Sequence, residues 1–156
     1  MFGAERRGAP VTAFVRMSAA PIRRRCEIRQ PGFLIIQDPT LLGVSGVLAG
    51  LAPGGGIVVN AGRKESLPFD APAGARVAFL PATRLALEAL GRPLPNVAML
   101  AAFLALTQFI PLDALGAAID RRFTEKIAAG NRALIDAAVG CARAGEWAEE
   151  RDALSA

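Results

Sequence analysis

Three short, largely apolar runs constrain this chain more than any other feature. Phe33-Leu34-Ile35-Ile36, Ile57-Val58-Val59-Asn60 and residues 75–80 are each about strand length and rich in branched or aromatic side chains. A strand that is apolar at consecutive positions is covered on both faces, as in parallel sheets, whereas a half-exposed strand alternates. Parallel neighbours need crossover connections, so the pattern predicts an α/β chain: a mostly parallel, Rossmann-like sheet flanked by helices. At 156 residues with 53% hydrophobic side chains, one such domain fills the chain and needs no disulfide staple.

The intervening residues fit this plan. Residues 41–52 are expected to form a helix after the Gln37-Asp38-Pro39-Thr40 loop, and Gly54-Gly55-Gly56 turns the chain back into the sheet. That glycine run precedes a strand, whereas a phosphate-binding loop follows one and opens a helix, so it is not read as a phosphate cradle. A helix over 82–90 should end at Gly91, ahead of Pro93 and Pro95. Residues 97–109 are apolar nearly all round, which marks a core helix with Asn96 as its N-cap. Leu112, Leu115, Ile119 and Phe123 recur at helical spacing, and Ile127, Leu134, Ala138 and Ala142 define a longer helix that stops at Gly145. These make a helical C-terminal part. Residues 146–156, with Trp147 among acids, read as an acidic tail, leaving 1–145 as the domain. Toward the other end, Val11, Ala13, Val15 and Met17 alternate as a strand would, and residues 22–29 read as extended with one arginine-rich face.

Charge and chemistry are unevenly spread. The first 30 residues hold seven arginines against two acids, a local charge of +5, while the rest of the chain carries −1. Charge alone does not choose between nucleic acid, a cofactor phosphate and an acidic partner subunit. The segment lacks interleaved aromatics for stacking bases, which disfavours nucleic acid. Histidine and tyrosine are absent, so no Ser-His or Cys-His couple exists. Cys26 and Cys141 stand 115 positions apart, without the spacing of a zinc or iron–sulfur site, so no metal site is expected. No apolar stretch reaches the ~20 residues of a membrane span and no signal peptide opens the chain, which points to the cytoplasm. In an open α/β sheet ligands gather at the carboxyl ends of the strands. That makes Asp38 and Thr40 candidate binding residues; the alternative is that they only satisfy local backbone donors.

Phe2-Gly3-Ala4-Glu5-Arg6-Arg7-Gly8-Ala9-Pro10-Val11 resembles a segment of the gamma subunits of pyruvate and 2-ketoisovalerate ferredoxin oxidoreductases, with Ala4 where that family has proline. Gln37-Asp38-Pro39-Thr40-Leu41-Leu42, Gly56-Ile57-Val58-Val59-Asn60, Leu90-Gly91-Arg92-Pro93 and Asn96-Val97-Ala98-Met99-Leu100 resemble further blocks of the same family in the same order. The resemblance implies a subunit, without catalysis of its own, of an enzyme that turns a 2-oxoacid and coenzyme A into an acyl-CoA, carbon dioxide and reduced ferredoxin. It implies alpha, beta and ferredoxin-like delta subunits as partners, with thiamine diphosphate and iron–sulfur clusters on those chains and coenzyme A as co-substrate. It further implies that Glu5, Arg6, Arg7 and Gly8 face the coenzyme A side of the site or the subunit interface, where arginine forks suit phosphate or carboxylate. The alternative is an ion-pair network at the interface. The family's opening strand and glycine-rich loop have no counterpart before Met1, so the expectation is a truncated or mis-started gamma domain, either complemented by a separate piece or standing without one. Two other readings stay open: a stand-alone nucleotide-binding α/β module, and, third, a nucleic-acid binder.

Overall fold

A computed structural model of the chain describes residues 11–23, 26–62 and 69–148. Three strands, β1 (Phe33–Ile36), β2 (Gly56–Asn60) and β3 (Arg76–Leu80), form a parallel sheet in the order β1-β2-β3. Phe33 pairs with Gly56, and Gly56 in turn with Arg76. All five residues of central β2 are buried. The three expected strands are therefore present, and in β2 burial on both faces explains why the apolar residues do not alternate, whereas edge strand β1 leaves Ile35 exposed.

Four helices follow: α1 (Ala82–Leu90), α2 (Asn96–Thr107), α3 (Leu112–Arg122) and α4 (Glu125–Cys141). They stack on one face of the sheet, where Phe33, Val58, Ala78 and Leu80 meet Leu85, Met99, Phe103, Leu106 and Leu134. Helix α2 lies innermost, as its all-round apolar sequence requires. From Ala98 to Thr107 only Leu100 reaches solvent appreciably. The other face, Leu34, Ile36, Ile57, Val59, Val77 and Phe79, is covered by Leu41, Leu42, Val47, Leu48 and Leu51 from the connection between β1 and β2. The architecture is α/β with a helical C-terminal part.

Four local expectations are corrected. Residues 41–52 do not make an α-helix; a 3-10 helix (Pro39–Gly43) gives way to successive turns. Gly50 sits at φ +79°, and a Cβ there would fall 2.2 Å from the Arg29 carbonyl oxygen, so the chain passes too close for a helix with side chains on every side. Asn96 does not cap α2: Pro95 takes the cap position, its carbonyl accepts from the Met99 N–H, and Asn96 is the exposed first helical residue. Residues 11–17 form no strand, because no described strand offers them a ladder, and the described part of 22–29 is likewise irregular.

The fourth correction concerns Trp147. Expected in the acidic tail, it is only 3% exposed and packs within the helical core. A short strap, residues 145–148, runs back across the end of α2: the Gly145 N–H donates to the Ala105 carbonyl (2.8 Å) and the Trp147 N–H to that of Leu106 (2.9 Å). The indole stacks on Phe33, centroids 6.2 Å apart, and the Arg76 guanidinium lies 5.2 Å above its ring. Residues 149–156 lie outside the described residues.

Candidate functional site at the carboxyl end of the sheet

The chain leaves β1 through Gln37 and turns at Asp38. One carboxylate oxygen of Asp38 accepts from the Thr40 backbone N–H (3.0 Å) and from the Thr40 hydroxyl (2.7 Å). Asp38 thereby caps the 3-10 helix, with Pro39 next to it in a position that needs no donor. The Thr40 hydroxyl, followed by the Thr40 N–H, holds the exposed carboxyl below the usual carboxylate range. At neutral pH Asp38 is thus an ionised acceptor and not a proton donor. Both candidate residues are exposed and face one another, so the local-satisfaction alternative describes their visible contacts.

Sequence reading did not single out Asn60, which joins this turn to its surroundings. Asn60 ends β2 and is 9% exposed. Its amide nitrogen donates to the Gln37 carbonyl and to the Thr83 hydroxyl, both at 2.8 Å, while its amide oxygen accepts from the Thr83 N–H at 3.1 Å. One buried side chain therefore ties the end of β1, the end of β2 and the first turn of α1, supplying a cap that Pro81 cannot. The available signal was a polar amide closing an otherwise apolar buried strand, since such a group must find partners. Asn60→Ala should lower unfolding free energy by about 2 kcal/mol through two lost backbone contacts and a stranded Thr83 N–H. Urea unfolding measures this; Asn60→Asp, which keeps the acceptor, should lose less.

Around Asn60 the described rim residues Gln37, Asp38, Thr40 and Arg84 are polar and exposed; Arg84 pairs with Glu88 at 3.2 Å one turn on. Among the described residues the rim is a frame of backbone and amide groups, without a nucleophile and base in contact. On the helix face a groove of about 180 Å³ lies between β3 and the strap, lined by Val58, Ala78, Ala102, Leu106, Cys141 and Trp147 among others. Ligand pockets usually start at ~300 Å³, so a coenzyme does not fit within it.

Glu5, Arg6, Arg7 and Gly8 lie outside the described residues. Iron–sulfur clusters are commonly held by four cysteine thiolates, and the two cysteines here, both exposed and unbridged, do not supply that set. Among the described residues no group of three or more histidine, cysteine or acidic side chains could hold a metal ion, and no helix is long and apolar enough to cross a membrane.

Comparison with known proteins places this frame in a family. Residues 1–141 match the family model for pyruvate ferredoxin/flavodoxin oxidoreductase. The pyruvate/ketoisovalerate oxidoreductases common subunit gamma of Thermococcus kodakarensis is 40% identical over 125 residues, covering 79% of this chain and 68% of that one. Pyruvate synthase subunit PorC of Methanothermobacter thermautotrophicus is 39% identical over 130 residues, covering 83% of this chain and 69% of its own. Among solved structures, pyruvate oxidoreductase subunit PORC of Thermotoga maritima superposes with a TM-score of 0.63 at 24% identity. That match covers 72% of this chain and 64% of that chain, and it shows the shared fold. With nine-tenths of its length inside the match, the chain belongs to the pyruvate ferredoxin/flavodoxin oxidoreductase family.

Proposed function

We propose that the chain is the gamma subunit of a 2-oxoacid:ferredoxin oxidoreductase, an enzyme in which a 2-oxoacid and coenzyme A yield acyl-CoA and carbon dioxide while ferredoxin takes up the electrons. The observation that carries this reading is the family match over residues 1–141, joined by relatives near 40% identity that are named as gamma or PorC subunits. The residue inventory agrees with a supporting role. A chain without histidine and with two distant cysteines lacks an electron carrier of its own, so thiamine diphosphate and iron–sulfur clusters belong to partner chains. Those partners are alpha, beta and ferredoxin-like delta subunits, and the assembly works in the cytoplasm.

Within that assembly the Glu5-Arg6-Arg7-Gly8 segment faces the coenzyme A side or the subunit interface, since guanidinium forks recognise phosphate and carboxylate alike. The Asp38–Thr40 turn, held by Asn60, presents a rigid edge at the ligand end of the sheet. Purifying the tagged full chain from its native cells is the test. The expected result is a complex with larger thiamine- and iron–sulfur-containing chains that reduces ferredoxin only when both a 2-oxoacid and coenzyme A are present. A chain that elutes alone near 16.2 kDa, or that binds coenzyme A, NAD or ATP tightly by itself, overturns the reading.

A further inference from the structure

We draw no further inference here: the strongest candidate, the groove of about 180 Å³ between β3 and the strap at residues 145–148, lined by Leu106, Cys141 and Trp147 among others, carries nothing, because nothing in the structure shows what covers it.

Discussion

Trp147→Ala should destabilise the isolated chain by about 3–5 kcal/mol, the usual range for emptying a buried large aromatic site. That is a large share of the roughly 5–15 kcal/mol by which domains are stable, so the variant should unfold at much lower denaturant or be partly unfolded without any. The size follows from what the indole touches. It is 3% exposed, stacks on Phe33 and lies beneath Arg76, and Phe33 in turn makes edge-to-face contacts with Phe103 and Phe109 at 5.2 and 5.3 Å. Removing the ring leaves a void beside an aromatic cluster centred on Phe33, whose neighbours on β1 and α2 are anchored and cannot close over it. Trp147→Phe retains part of the packing and should recover more than half of the loss. The midpoint and slope of guanidinium unfolding, followed by circular dichroism, check both.

The second large effect lies directly across from the first. Gly56→Ala should cost about 3 kcal/mol, at the upper end for an added methyl group in a packed interior. A Cβ at Gly56 would fall 2.7 Å from the Phe33 ring and 2.7 Å from the Trp147 ring, closer than carbon atoms approach. Neither ring can yield easily, because Phe33 is fixed on β1 and the Trp147 backbone is bonded to α2. The two positions must therefore be coupled. In the double variant the space left by the indole receives the new methyl group, so the combined loss should be smaller than the sum of the single losses by more than about 1 kcal/mol. Additive losses in a double-mutant cycle would show that the predicted clash is not with Trp147.

The sequence revealed most clearly those elements whose identity is set within their own length. Helix α1 occupies the residues expected of it, with left-handed Gly91 at its end (φ +64°), and the three strands were legible as apolar runs. Expectations failed where a distant part of the chain decides. Leu41, Leu42, Val47, Leu48 and Leu51 do cover the sheet as a helix over those residues would have done. The backbone beneath them is broken because Gly46 and Gly50 take positive φ angles and Gly50 abuts Arg29. Trp147 looked like part of a tail because its neighbours are acidic, and its true partner, the missing side chain of Gly56, leaves no local trace. Residues 11–17 have the right pattern for a strand but no described strand beside them. Of the candidate site, Asp38 and Thr40 were visible as a turn at a strand end, whereas the residue that anchors the turn, Asn60, showed only as one polar letter after an apolar run.

The strap also bears on the order in which the molecule can assemble. The last turn of any α-helix leaves carbonyls without partners, and in α2 that turn is deeply buried, away from water. Phe103 is answered by the Thr107 hydroxyl and Leu104 by the Gln108 N–H, but Ala105 and Leu106 wait for Gly145 and Trp147, which follow two further helices. The most secluded helix is thus finished by the last segment to be synthesised among those described, beyond the stretch that matches the family. Ripening of the core is consequently a closing event that draws distant parts of the chain together at once, rather than a stepwise growth from one end.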